Sequence, residues 1–502
     1  MTAIKIYNKE RWFIGENIWA TGHAWAEGRL LVGKSWQTFF EPCNTFKQFE
    51  QKINRCNGYF ALILKRGDKI LAAVDRIRSI PLFYTRNGAI ITDNALLASE
   101  SLPTEKWDAG AIREFFAVGH VSGPRTLRKE IAPVEAGEIL EIANGKPHKK
   151  SYFEYLHTTV PEDISVEERH RRFKELLRET FERLVVWAAG RTLVLPLSGG
   201  YDSRLLAYMA REMDIKDLIC FTYGRPDFYD AVTARRIAGY LGLPIHFVNS
   251  YHTPHRRIYN SPLRARLDEQ AFNLISLPNI QDLPALYRLK QEGRIPDDAI
   301  LISGHSGDFV SGRHLDNLKP DSDTVNTEQV IDNIIRLQYS IYKPAGKELM
   351  EMRRHLRSLL PVNTADRGTM YEHWVWRERQ AKFLVNAMRT FDVLGHEWHL
   401  PLWDNAFVDF FLELPKELRK GQKFYREHIN AMHPHLDYPP NKITKHGWVR
   451  DIRFRRYGPG DWLGSLKLMW LFGDMELPNR RFIHKLNLVR YSHLLKHEYQ
   501  TG

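Results

Sequence analysis

From about Trp12 to Phe153 the apolar residues fall into short runs separated by turn residues, a pattern of strands. Tyr59 to Val74 carries two such runs on either side of Arg66-Gly67-Asp68, which predicts a hairpin, and Ala89 to Ser99 continues the strand pattern. Ala111 to Val118 predicts a short helix. Glu135 to Phe153 predicts a second hairpin around Asn144-Gly145, and the loop from Thr158 to Ser165 marks a boundary.

Beyond that loop the period changes. Val166 to Ala189 is a long amphipathic run in which Phe173, Leu176, Leu177, Phe181 and Leu184 recur at helical spacing. A strand (Thr192 to Leu197), a helix (Ser203 to Met213), a strand (Asp217 to Tyr223), a helix (Tyr229 to Gly242) and a strand (Pro244 to Asn249) follow. Ala231, Ala234, Ile237, Ala238 and Leu241 share one face of the second helix. Such alternation predicts a parallel sheet wrapped by helices. From about Ser261 the chain reads mainly as helices, interrupted by one strand at Ala299 to Ser303. Two domains are expected: an α+β domain over 1–158 and an α/β domain with a helical carboxyl-terminal part over 159–502.

Composition narrows the class. With 43% hydrophobic and 26% charged residues the chain is that of a globular protein, and no stretch approaches the roughly 18 uncharged apolar residues of a membrane helix. The start, MTAIKIYNKERW, lacks the apolar core of a secretory signal, and Cys43, Cys56 and Cys220 have no disulfide or CxxC spacing, so a reducing cytoplasm is the expectation. The formal charge of +12 favours an anionic partner: nucleic acid, an anionic membrane surface, or a substrate with phosphate or carboxylate groups. The basic stretch from Arg453 to His497, with Trp462 and Trp470, suits contact with an anionic membrane or a phosphate-rich substrate; it equally suits a solvated surface over a helical core. Nucleic acid is disfavoured, since no helix-turn-helix, zinc or aromatic RNA-binding signature is present.

The most informative segment is LPLSGGYDSR, Leu195 to Arg204, in which a strand runs into Ser198-Gly199-Gly200, then Asp202 and Ser203, then a helix. Adjacent glycines let backbone N–H groups face the loop, the helix terminus adds unsatisfied donors, and Ser198 and Ser203 add hydroxyls: a site for phosphate oxygens. No Lys follows the glycines, so this is not the loop of enzymes that cleave the γ-phosphate. Asp202 is placed to hold a metal ion against the phosphates.

SGGYDS resembles the SGGxDS pyrophosphate loop of the PP-loop ATP pyrophosphatases, and its surroundings are similar to the asparagine synthetase branch, along most of the chain. FTYGRPDFYDAVTARRIAGYLG resembles that family's second strand and helix, which implies that Phe221, Thr222 and Tyr223 line the nucleotide pocket. LISGHSGDFVSG resembles its SGEGxDExxGG segment, implying that Gly304 borders the ATP site and that Asp308, with Asp202, binds Mg2+. EWHLPLWDNAFVDFFLELP resembles ExRxPFLDxxLxxxxxxLP, and NKITKHGW resembles a K-x-G-F segment that makes Lys445 the catalytic lysine. Residues 57–84 and 115–142 are similar to the family's glutaminase domain, an Ntn-hydrolase fold.

The chain also departs from the family. His305 stands where the family has Glu; a group with an ordinary pKa near 6.5 can serve as a base for an incoming amine, or simply bond the loop. His399 replaces an Arg, which suggests an acceptor pocket not built for free aspartate. Position 2 is Thr2 rather than the nucleophilic Cys, and the glutamine-binding segments HRGPD and NGEIYN have no counterpart, so the amino-terminal domain is expected to be inactive.

The resemblance implies a ligase that uses ATP and Mg2+ to convert a carboxylate into an acyl-adenylate, releasing pyrophosphate, for attack by ammonia or another amine. An anionic sugar acid of surface polysaccharide synthesis suits the basic charge. Asparagine synthesis from aspartate, lactam or lasso-type cyclisation, an ATP-binding pseudoenzyme and a nucleic-acid binder remain open.

Overall fold

The computed structural model describes residues 2–158, 164–249, 258, 261–318, 327–339, 341, 344–362, 364, 366–434, 488 and 490–498. Both hairpins form as expected. Asn57–Arg66 and Lys69–Val74 pair antiparallel across a turn with Gly67 at φ 57°, and Glu138–Ala143 pairs with Lys146–Ser151. The second turn needs positive φ at two successive residues, 51° at Asn144 and 72° at Gly145, the turn that matches strand twist and favours Asn-Gly. These strands join a seven-stranded antiparallel sheet with Ile18–Ala26, Trp12–Ile14 and Arg29–Leu31.

The segment after the first hairpin differs from the expectation. Ile90–Thr92 lies in a separate four-stranded sheet, beside Phe83–Thr85 and parallel to Ala3–Lys5, a strand that the sequence pattern did not mark. Ala95–Glu100 is a helix, because the Asn94 side chain accepts the amides of Leu96 and Leu97 at 2.9 and 3.2 Å and so caps it. Two apolar runs look alike until the cap between them is weighed.

In the carboxyl-terminal half, Val166–Ala188 is one helix, with Phe173, Leu177, Phe181 and Leu184 buried and Leu176 half-buried. The parallel sheet has five strands, in the order Ile245–Asn249, Leu218–Gly224, Leu193–Pro196, Ile300–Ile302, Glu397–His399. The last is a correction to the sequence expectation: three residues in a segment read as helical are drawn into the edge by pairing with Ile300–Ile302. Chain order reverses at the central strand, and ligands of open parallel sheets bind at that crevice. Among the described residues no helix is long and apolar enough to cross a membrane.

The two halves share one core, which runs from Tyr59, Ile77 and Tyr155 through the parallel sheet. His23 stacks on Trp187 with ring centroids 3.8 Å apart and lies 5.3 Å from His399, which meets Tyr59 edge-on at 4.9 Å. His399 is thus packed in this aromatic layer between the halves. Burial, with Arg183 nearby, pushes His399 down to about 3, and burial, with His399 and Arg191 nearby, holds His23 well below its ordinary value.

Both histidines therefore stay neutral in the fold while they would charge in the unfolded chain below about pH 6.5. Between that pH and about 3 the unfolded state binds more protons, so stability falls as pH falls. We expect His399→Phe to remove about 2 kcal/mol of the loss in unfolding free energy between pH 7 and pH 5. Denaturant unfolding at the two pH values measures this; an unchanged acid sensitivity would show that His399 takes up its proton in the folded state.

Candidate active site

The segment Leu197–Tyr201 joins the central strand to the helix Tyr201–Glu212, whose N-cap, Gly200, offers no side chain to the first-turn amides. That leaves those N–H groups available to an anion. Within the loop, Ser198 Oγ and Ser203 Oγ lie 3.0 Å apart, and Ser203 Oγ accepts the Ser198 amide at 3.1 Å. The Gly200 amide donates to Ser198 Oγ at 3.2 Å, and the Gly199 amide to Asp230 Oδ1 at 3.1 Å. A Cβ at Gly199 would stand 2.7 Å from the Tyr229 ring, so glycine is required there by close approach.

The neighbouring strand, Ile300–Ile302, ends in Ser303-Gly304-His305-Ser306-Gly307-Asp308, and this second loop lies against the first. A Cβ at Gly304 would come within 2.9 Å of Asp202 Cβ, and one at Gly307 would strike Leu402 and lie 2.7 Å from Asp202 Oδ1. Through these gaps the Asp202 carboxylate reaches the second loop and accepts the Asp308 amide at 3.0 Å, while the Tyr425 hydroxyl donates to its other oxygen at 3.0 Å. Ser306 sits at φ 70°, a left-handed conformation unfavourable for a residue with a Cβ, and its hydroxyl donates to Gln380 Oε1 at 2.6 Å. His305 Nδ1 is hydrogen-bonded to Ser303 Oγ.

Burial and the adjacent Asp308 carboxylate raise the Asp202 carboxyl well above the usual range, against the pull of its two hydrogen bonds. The same surroundings push the Tyr425 hydroxyl well above its ordinary value, burial first and Asp202 second. Neither Asp202 nor Asp308 forms an ion pair among the described residues, and no group of three or more metal-ligating side chains occurs among them. Two neighbouring carboxyl groups with no ion-pair partner among the described residues fit a magnesium ion that draws its remaining ligands from phosphate and water.

The fold thus brings Ser198, Gly199, Gly200, Asp202, Ser203, Gly304, His305 and Asp308 to the ends of adjacent strands at the reversal point. Phe221 and Thr222 are buried in the next strand, with the Phe221 carbonyl accepting the Leu197 amide at 2.8 Å; Tyr223 is half-buried. Lys445 lies outside the described residues, as does most of the Arg453 to His497 stretch. Sequence reasoning missed four residues. Asp230 had a weak signal as an acid in the first turn of Tyr229–Leu241, whereas Tyr425, Ser306 and Gln380 had none, since only the fold shows what they touch.

Thr2 Oγ donates to the Gly88 carbonyl at 2.8 Å, which ties the side chain at position 2 to the turn between the strands Phe83–Thr85 and Ile90–Thr92.

The family model of the glutamine amidotransferase domain matches residues 45–153, and that of asparagine synthase matches residues 172–429. Among solved structures the chain is similar to the NMN synthetase of Francisella tularensis, at 14% identity over 43% of this chain and 94% of that one, with a TM-score of 0.22. It is also similar to the glutamine phosphoribosylpyrophosphate amidotransferase of B. subtilis, at 9% identity over 73% of this chain and 78% of that one, with a TM-score of 0.19. No curated protein matches the chain.

The glycine gaps can be tested by adding one carbon. Gly307→Ala forces Leu402 or Asp202 to move and is expected to lower stability by about 1–3 kcal/mol. Gly200→Ala, whose nearest neighbour would be Ser198 Oγ at 3.4 Å, should stay within about 0.5 kcal/mol. Equilibrium unfolding of both variants decides; equal losses would show that the loops do not meet as described.

Proposed function

Because the chain belongs to the asparagine synthase family, and is with that an ATP-dependent amide-forming ligase, we propose that it activates its carboxylate as an acyl-adenylate and joins it to ammonia or another amine. The observation that carries this reading is Asp202 bridging the two strand-end loops, with Asp308 beside it and the uncapped helix Tyr201–Glu212 behind.

A carboxylate is a poor electrophile because its leaving group would be oxide. Attack of one carboxylate oxygen on the α-phosphorus breaks the bond to the β-phosphate and releases pyrophosphate. The amine then attacks the acyl carbon, the C–O bond to AMP breaks, and the nitrogen loses a proton. In this scheme Ser198, Gly199, Gly200 and Ser203 hold the β- and γ-phosphates, with Phe221, Thr222, Tyr223 and Gly304 bordering the nucleotide. Asp202 and Asp308 would hold a magnesium ion, which would neutralise phosphate charge when bound. His305 is the base for the amine, and Lys445, through its place in NKITKHGW, stabilises the charge that develops on phosphorus and then on the tetrahedral oxyanion.

The glutaminase-like region spans 1–158 in this reading and the ATP-binding region 159–502. The engaged Thr2 hydroxyl and the absence of a Cys at position 2 support ammonia, rather than glutamine, as the source of nitrogen. The charge of +12 supports an anionic acceptor, of which a sugar acid of surface polysaccharide synthesis is our choice.

Pyrophosphate release from ATP and Mg2+ across aspartate, nucleotide-linked uronic acids and acidic peptides, with ammonia or glutamine, tests the scheme. We expect release with uronic acids and ammonia, not with glutamine, and a loss of at least about 100-fold in Asp202→Asn. Release with aspartate alone would replace the acceptor; tight ATP binding with no release from any acceptor would leave a pseudoenzyme.

A further inference from the structure

The helix Val375–Leu384 is wound as a π-helix, with hydrogen bonds reaching five residues back, and it continues directly from the α-helix Arg367–Trp374. Such winding is rare and collects at functional sites. Here it brings residues five apart onto one face: Arg377 and Lys382 both bind Glu135, at 2.9 and 3.3 Å. Arg377 also binds Glu138 at 2.7 Å, Lys149 reaches both glutamates, and Lys382 donates to Glu378 at 2.6 Å and to the Gly123 carbonyl at 2.7 Å. Glu135, Glu138, Glu378 and Lys382 are almost fully buried. Burial opposes the charge on Glu135, yet Arg377, Lys382 and Lys149 hold its carboxyl below the usual range. Glu135, Glu138, Lys149 and Gly123 belong to the amino-terminal half, and Arg377, Glu378 and Lys382 to the other.

Gln380 lies between the two anchored residues and takes a different direction. Fully buried, it accepts the Ser306 hydroxyl through Oε1. Ser306 is the left-handed residue that turns the chain from His305 into Gly307-Asp308, and its carbonyl accepts the Val310 amide at 3.0 Å. A serine holds that backbone only where its surroundings over-determine it. A chain of contacts therefore runs from Glu135 through Lys382 and Arg377 to the π-helix, from there through Gln380 to Ser306, and so to the Asp202–Asp308 pair.

We propose that the amino-terminal half serves the ATP site as a positioning element, holding the helix Val375–Leu384 so that Gln380 fixes Ser306 and with it the loop carrying His305 and Asp308. This gives a domain without its nucleophile a task in the same reaction. Gln380 is a positioning residue. Its effect on turnover rests on the ligase reading; its effect on the loop does not.

The test therefore has two arms, on the full chain. Amide hydrogen exchange over residues 303–310, without substrate, is expected to speed up in Gln380→Met and, more weakly, in Glu135→Gln. In turnover, Gln380→Met is expected to lower kcat by about 10- to 100-fold, with the KM for ATP unchanged within about twofold. Adding Ser306→Gly, which accepts the left-handed backbone without strain, should restore kcat to within about threefold of wild type. Circular dichroism confirms that each variant is folded, and the Ser306→Gly double variant separates lost positioning from general damage. Unchanged exchange in Gln380→Met or in Glu135→Gln, or a loss of kcat that Ser306→Gly does not restore, overturns the proposal. A wild-type protein with no turnover but with the expected exchange response overturns the ligase reading alone.

Discussion

Two loops at the ends of adjacent parallel strands must touch, and one carboxylate is the point of contact. Asp202 can accept the Asp308 amide only because Gly304 and Gly307 leave no Cβ in its way. The contact requires strands Leu193–Pro196 and Ile300–Ile302 to be neighbours, although more than a hundred residues separate them. That pairing in turn sets the reversal in strand order and the crevice above it. Burial and the neighbouring Asp308 together raise the Asp202 carboxyl well above the usual carboxylate range.

How much of this could be read from residues alone depended on the range of the interaction. The Asn144-Gly145 hairpin, the helix Val166–Ala188 and the strand–glycine–helix turn at Ser198 are local, and each carries its cause within a few residues. The strand Glu397–His399 was missed because nothing in its three residues asks for a strand; the neighbouring strand supplies the reason. The helix at Ala95 was missed because its apolar run suits either period and the capping Asn94 decides. In the site, the loop from Ser198 to Ser203 announced itself by its strand–glycine–helix pattern, and Gly304 and Asp308 by the family resemblance. Tyr425 and Gln380 did not, since a tyrosine in one helix and a glutamine in another look like ordinary core until the fold sets them against Asp202 and Ser306.

The amino-terminal half is joined to the other by several kinds of contact. Its sheet faces the carboxyl-terminal half with aromatic rings, with the Arg76 carbonyl taking the Trp376 indole N–H at 2.8 Å, and with the charges of Glu135 and Glu138 shared between Lys149 of its own half and Arg377 of the other. Buried charges of this kind are costly to strand, so removing one partner typically destabilises by about 3–5 kcal/mol. The contact is therefore more than adhesive: it specifies how the halves fit, and the π-helix lies where the fit is most exacting.

The long hydrogen bonds between the halves bear on how the chain is made. Asn57 donates to Asp404 and accepts the Asn405 amide, and Tyr59 donates to the Leu400 carbonyl, so these partners are separated by more than 340 residues. During synthesis from the amino terminus, the first sheets emerge long before the segment that covers them. Their inner face, with His23, Tyr59 and the glutamates at 135 and 138, stays open to the cell until translation has passed the region around Asp404. A chain built this way carries that face uncovered for most of its synthesis.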